Sequence, residues 1–290
     1  MPTVTHTVTP QEAGRTVKSL ALKEMALSRG RLSSLKFSGG LKLDGAPVRT
    51  DVYPAAGQVI TARWEETGGA ALAPCPADFS IVYEDEYYYV LDKPAPLPTL
   101  ASPHQTGGAL ENGLYAYLGC PAGFVFRPVN RLDKGTSGLM AAAKDGHAQQ
   151  RLQRLLHTDA FIREYLALCL GAPPDGQGVI DLPIGRESGV KRAVRPDGQR
   201  AVTHYRVEQT RGALSLLRLR LDTGRTHQIR VHLSALGCPI LGDYLYGQPD
   251  PRLPGRFALH ACRLAFRHPF TGDPVEVESP LPEELMNLFE

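Results

Sequence analysis

"PVNRLDKGTSGLMAAAK", residues 128–144, decides how this chain is read, because it sets a charged pair at the edge of what must become a core. Arg131 and Asp133 sit between the apolar Val129 and Leu132 and the run GLMAAA. Gly135, Thr136, Ser137 and Gly138 read as a turn, and Leu139–Ala143 as a short buried strand. Asp133 is therefore expected at the lip of the core, where a carboxylate is either a structural acceptor or a reagent.

Outward from this stretch, helical and strand-like segments mix without regular alternation. "SIVYEDEYYYVLDKP" reads as two short strands around an acidic turn, the second stopped by Pro94. "GHAQQRLQRLLHTDAF" sets Leu152, Leu155 and Leu156 on one helical face, and "REYLALCL" follows as an apolar strand. "GALSLLRLRLDTG" alternates Leu217, Leu219 and Leu221 with Arg218 and Arg220, giving one buried and one basic face. The pattern favours an α+β fold over a doubly wound parallel sheet.

With 290 residues, 42% of them hydrophobic, the chain is long enough for a sizeable core and for one or two domains. No apolar stretch approaches the ~20 residues of a membrane span, and "MPTVTHTVTPQEAG" lacks the apolar core of a signal peptide, so a cytoplasmic protein is expected. Five scattered cysteines without a C-x-x-C pair read as reduced packing residues rather than disulfides or a zinc site. The net charge of +2 hides a block pattern: residues 1–66 hold 9 Lys and Arg against 6 Asp and Glu, and residues 128–235 hold 17 against 10. Two basic blocks suit a polyanion-binding surface, although solvated arginine faces give the same counts.

"EETGGAALAPCPADF" interrupts the patterned sequence with Gly, Ala and Pro, which divides the chain into a module at 1–66, a linker at 67–78 and a larger domain at 79–290. In the first module Val17, Leu20, Ala21 and Met25 form a helical stripe, and Ser28 caps a second helix. On that helix Arg29, Ser33 and Lys36 share a face turned away from Leu32 and Leu35, with Arg31 close by. A strand LKL then meets the hairpin turn Asp44-Gly45.

In "TGRTHQIRVHLSALGCPILGDYLYG", residues 223–247, Thr226 fits an N-cap, Ile229, Leu233 and Leu236 share a face, and Gly237 ends the helix. Arg225, His227 and Arg230 beside the helix start make a site for a phosphate or carboxylate, while a surface helix with arginine pairs has the same pattern.

Taken together, "NRLDKGTSGLMAAAK", "REYLAL", "TGRTHQIRVHLSALGCPILGDYLYG" and "LHACRLAFRHPFTGD" resemble, in order, the signature segments of the RluA-type RNA pseudouridine synthases, from about Ile81 to the end. The N-terminal module is similar to the alpha-L (S-four-like) RNA-binding fold often fused to that family. The resemblance implies a pseudouridine synthase domain with a central mixed, largely antiparallel sheet flanked by helices. It implies an isomerase that breaks a uridine glycosidic bond, turns the base and rejoins the sugar to carbon 5, with no cofactor. Consistently, the chain has no Walker-type or dinucleotide-binding glycine loop and no metal-ligand spacing.

By resemblance Asp133 is the essential carboxylate, acting by attack on the sugar, addition to the base or removal of a ribose proton. To stay ionised in a pocket it needs a positive partner. The family's arginine in the QIR segment makes Arg230 that partner. Tyr165 matches the tyrosine that stacks on the target base and is a candidate base in the later proton transfer, although a lone Tyr in an apolar strand is otherwise a core residue. Arg131, two residues before Asp133, is expected to fill the space of an extruded nucleotide and bind phosphate. Asn130 replaces the usual histidine, and Pro96 replaces the glycine of a lysine-proline-alanine-glycine pattern. Arg225, His227, Arg29, Arg31 and Lys36 complete the expected RNA contacts; His227, His232 and His260 have no metal spacing and are expected to be hydrogen-bonded or packed.

The expected partner is therefore structured RNA, ribosomal or transfer, with no membrane and with the chain a monomer. A catalytically silent RNA-binding protein is the rival reading, disfavoured by the intact Asp133, Tyr165 and Arg230. A glycoside hydrolase would need a second motif-borne carboxylate beside Asp133, and the sequence shows none.

Overall fold

The structure, a computed structural model, describes residues 3–65, 72–102 and 108–290. Residues 3–65 wrap a core of their own. Strand β1 (Thr3–Thr7) is followed by helices α1 (Val17–Lys23) and α2 (Arg29–Ser38), strand β2 (Leu41–Leu43), the two-residue β3 (Ala46–Pro47) and β4 (Val59–Arg63). They form an antiparallel sheet in the order β1-β4-β2-β3. Val17, Leu20, Ala21 and Met25 do meet Leu32, Leu35, Ile60 and Trp64 in one cluster. Ser28 caps α2 by accepting from the Arg31 N–H at 3.0 Å. Asp44 and Gly45 both take positive φ (47° and 83°), the backbone that a tight hairpin requires. Of the expected linker, residues 67–71 lie outside the described residues, and 72–78 carry no helix or strand.

The remainder is built on one large sheet. In chain order it contains β5 (Ser80–Glu84), β6 (Tyr88–Lys93), α3 (Leu110–Tyr117), β7 (Arg127–Pro128), β8 (Ser137–Ala143), α4 (Gly146–Gln153) and β9 (Phe161–Leu170). There follow β10 (Gln177–Asp181), β11 (Ile184–Ser188), β12 (Lys191–Val194), β13 (Val202–Arg211), β14 (Leu214–Leu221), α5 (Gln228–Ala235), β15 (Leu259–Arg267), β16 (Pro274–Glu278) and α6 (Glu283–Phe289). The sheet runs β10-β13-β14-β9-β15-β8-β6-β5, with β16 on β15 and β7 on β8, while β11 and β12 pair apart as a hairpin. Every neighbouring pair is antiparallel except β15 with β8, so the sheet is mixed and largely antiparallel and the fold is α+β.

Alternation along the strands places the core on both faces. Tyr89, Leu91, Met140 and Ala142 join one cluster with Tyr165, Leu217, Leu219, Ile229 and Leu233. Tyr88, Val90, Leu139 and Ala141 join the other with Leu152, Phe161 and Phe266. The parallel contact, His260 opposite Ser137 and Ala261 opposite Gly138, is close enough to demand glycine. Gly138 has φ +102°, and a Cβ there would fall 2.3 Å from the Ala261 carbonyl oxygen.

Three local expectations differ. The strand after Asp133 begins at Ser137, two residues earlier than the turn reading allowed, because Ser137 and Gly138 already pair with β15. Helix α4 stops at Gln153, and the Leu155 and Leu156 N–H groups bond three residues back in a tightened turn. The cap of α5 is His227, in the left-handed region at φ 59°, and not Thr226. The Gln228 side chain accounts for this, since its carbonyl accepts from the Thr223 hydroxyl (2.8 Å) and the Arg225 N–H (3.0 Å) and closes the loop itself.

Candidate active site

Six stretches of chain, within 98–100, 128–136, 153–157, 163–165, 221–230 and at 259, converge around a cavity of about 600 Å³, within the ordinary range for a small-molecule or nucleotide pocket. The turn carrying Asp133 is gripped on both sides. The Thr99 hydroxyl donates to the Leu132 carbonyl (2.7 Å), the Leu97 N–H donates to the Lys134 carbonyl (3.0 Å), and the Thr136 N–H closes onto the Asp133 carbonyl (3.1 Å). The segment that grips it is braced in turn by Lys93. That side chain is fully buried, and its ammonium donates to the Pro94 and Leu97 carbonyls at 2.9 and 2.7 Å. Burial pulls the Lys93 pKa down to about 7 against the smaller opposing pull of Asp133.

Asp133 itself is at the lip, with 29% of its side chain exposed. Arg230, on α5 and 97 positions later, donates from Nη1 to its Oδ2 at 3.2 Å. The same guanidinium donates from Nε and Nη2 to Asp243 at 2.7 and 2.8 Å, and lies 4.2 Å from the centre of the Phe257 ring. Asp243 is wholly buried and also accepts from the Leu245 and Tyr246 N–H groups. Burial opposes the charge on Arg230, but the two carboxylates outweigh it and hold its pKa above the ordinary value. Arg230 is thus fixed from behind with one nitrogen presented to Asp133. Asp243 is the second carboxylate that sequence reasoning missed, but locked face-on to Arg230 it has no free oxygen to serve as an acid.

Tyr165, on β9, lines the same cavity and is buried, which raises its pKa above that of a free phenol, so it is uncharged at rest. His227 Nδ1 lies 2.8 Å from the Tyr246 hydroxyl, and its Nε2 stands 3.9 Å from Asp133. Burial lowers the His227 pKa more than Asp133 raises it, leaving a neutral imidazole at pH 7. Arg131 is exposed at the cavity wall, and Arg225 lines the rim with its Nε on the Arg200 carbonyl at 3.0 Å, away from Asp133. Asn130 is buried and accepts from the Ala141 N–H at 2.9 Å, so it ties the Asp133 segment to β8. His232 reaches Thr203 and the Leu182 carbonyl, and His260 reaches Ser137 and the Ser279 carbonyl.

Arg29, Ser33 and Lys36 do share the exposed face of α2, but well apart from this cavity in sequence and sheet. Arg31 differs from them: it is half-buried with its guanidinium 4.9 Å over the Trp64 ring. Trp64 in turn meets His147 of α4 edge-on at 5.9 Å. Among the described residues no cluster of three metal-ligating side chains occurs.

The mixed sheet thus carries an arginine-held aspartate at the mouth of a nucleotide-sized cavity, and comparison with known proteins identifies the class as an RNA-modifying isomerase. The family model for RNA pseudouridylate synthase matches residues 87–235. The chain belongs to that family, as its RluA-type segments imply, and is an isomerase of RNA uridine. It is 36% identical over 281 residues to the uncharacterized RNA pseudouridine synthase YjbO of Bacillus subtilis, covering 94% of this chain and 98% of that one. It is 39% identical over 284 residues to the ribosomal large subunit pseudouridine synthase D of Pseudomonas aeruginosa, covering 90% and 87%. Among solved structures, human RNA pseudouridylate synthase domain containing 1 superposes with a TM-score of 0.57 at 28% identity, over 70% of this chain and 83% of that one.

Proposed function

We propose that this chain converts a particular uridine of structured RNA, with large-subunit ribosomal RNA the first substrate to test, into pseudouridine in the cytoplasm, and that Asp133 is the carboxylate that carries the chemistry. The observation that supports the reading most is the Asp243–Arg230–Asp133 chain. A buried arginine, anchored on one carboxylate, offers its remaining edge to a second carboxylate that is still open to the cavity. A purely structural pair would close both oxygens away from the pocket.

Uridine and pseudouridine are isomers, so nothing is oxidised or consumed. The glycosidic bond to nitrogen 1 breaks, the base turns, the sugar carbon bonds to carbon 5, and the proton lost from carbon 5 is matched by one gained at nitrogen 1. Each of the three roles open to Asp133 requires the carboxylate, and Arg230 favours that ionised form by charge and hydrogen bonding. Tyr165 lines the cavity and supplies a flat surface for the extruded base; held neutral by burial, it would have to lose its own proton before it could take the one from carbon 5. Arg131, exposed beside Asp133, is placed to occupy the gap an extruded nucleotide leaves, with Arg225 and His227 along the rim for the backbone. The N-terminal residues 1–66, through Arg29 and Lys36 on the open face of α2 and Arg31 beside it, provide a second, electrostatic hold on the RNA.

The test is to map pseudouridine across ribosomal and transfer RNA from cells with and without this protein, then restore the wild type or Asp133→Asn. Sites that vanish on deletion and return only with the wild type identify the substrate. An unchanged map in cells lacking the protein would refute the isomerase reading in favour of the silent RNA-binding one.

A further inference from the structure

Arg163 is a buried cation that nothing above employs. It is 6% exposed, and among the described residues no carboxylate pairs with it. Its Nη2 donates to the carbonyls of Leu156 (3.0 Å) and Leu221 (3.4 Å), both neutral, and its Nε is buried without a partner. The nearby carboxylate of Asp222 is taken by His204 at 2.8 Å. The contrast with Arg230, enclosed by two carboxylates, is sharp. Burying a charge without a counter-charge is costly, and burial accordingly drags the Arg163 pKa below the ordinary arginine value. A neutral side chain of similar length would fill this space without that cost.

The position of Arg163 says what could complete it. Period-two alternation on β9 puts it on the same face as Tyr165, and both line the one cavity with Asp133 and Arg225. Gly224 lies directly beside it: a Cβ there would fall 3.0 Å from Arg163 Nη1, so a residue without a side chain leaves that nitrogen uncrowded. The missing counter-charge must then arrive with the ligand. Uracil and ribose are neutral, and the anionic part of an RNA nucleotide is its phosphodiester.

We propose that Arg163 is a phosphate-binding residue of the target-nucleotide pocket, gripping a phosphodiester next to the uridine that is turned; this rests on the isomerase reading for its ligand class. Such a contact seats the extruded nucleotide at its backbone while Asp133 and Tyr165 address its sugar and base. It acts on binding, through charge-assisted hydrogen bonds from a preorganised guanidinium.

The probe is the shortest stem-loop of large-subunit ribosomal RNA that the full-length protein retains on a filter, with its loop phosphates replaced one at a time by uncharged methylphosphonates. For the wild type, one replacement should weaken binding by about tenfold, and Arg163→Met should lose a similar factor on the unmodified RNA while lowering the slope of log affinity against log salt by about one. Combined, the two changes should cost no more than either alone, and Arg163→Lys should recover part of the loss. In turnover assays the Met variant should raise the half-saturating RNA concentration far more than it lowers the saturating rate. Independent, additive losses, or a collapsed rate at unchanged half-saturation, would overturn the proposal. If Arg163→Met shows no cooperative melting transition, the wild-type methylphosphonate series still decides, since tolerance of every replacement contradicts a gripped phosphate. Product formation by the wild type is scored separately, so an absence of turnover counts against the isomerase reading alone.

Discussion

Asp133 and Arg230 illustrate how a single contact can be legible across 97 positions while the reason for its rigidity is not. The signature segments pointed to both residues, and the structure brings them to 3.2 Å. Asp243 escaped notice because a Gly-Asp pair before "YLYG" reads as ordinary turn chemistry, and only the tertiary fold turns its carboxylate onto Arg230. Arg163 did carry a signal, its place two residues before Tyr165 on a strand, but alternation says which face a side chain occupies and not whether a counter-charge awaits it. Asp243→Ala leaves Arg230 buried with one half-exposed partner, and should cost about 3–5 kcal/mol in urea unfolding. Lys93 yields a pH prediction. Its pKa is about 7 in the folded protein against an ordinary 10.5, so between those values the unfolded chain holds the proton that the native state has shed. Stability from this group therefore rises as pH climbs through that window, and Lys93→Met should flatten the increase in urea midpoint between pH 7 and pH 9.

At the scale of elements, what the pattern of apolar residues could reveal was the strands themselves and not who their neighbours are. The alternation of Leu217, Leu219 and Leu221 marked β14, and the apolar run after Asp133 marked β8. The parallel pairing of β8 with β15, the one such pairing among the described residues, joins segments more than a hundred residues apart and leaves Gly138 as its trace. Because β8 begins where the Asp133 turn ends, that pairing also positions the carboxylate. Gly138→Ala puts a methyl against the Ala261 backbone in a left-handed conformation. It should destabilise the protein by at least ~2 kcal/mol and depress turnover with it, as read by thermal melting and single-turnover rates. The misplaced start of α5 has a similar origin: Thr226 satisfies every local criterion for a cap, but the buried Gln228 side chain reaches back and captures the loop first.

Across the whole molecule, residues 3–65 hold a separate sheet and core, and their contact with the rest includes Trp64 against His147. On the proposal that this part contributes electrostatic RNA affinity, deleting residues 1–66 should weaken RNA binding and flatten its salt dependence, leaving the rate at saturating RNA within a few-fold of the full chain. An unchanged salt slope with a collapsed rate would instead make the module a structural support for α4. No helix among the described residues is long and apolar enough to cross a membrane. The proposed division of labour distributes binding over the basic surfaces and rests the chemistry on one arginine-held carboxylate. It is tested most directly by single-turnover pseudouridine formation and filter binding measured side by side for the wild type and Asp133→Ala on the mapped substrate RNA. The variant should bind RNA within a few-fold of the wild type and form no detectable product; turnover by Asp133→Ala at more than a few per cent of the wild-type rate would take the chemistry away from this carboxylate.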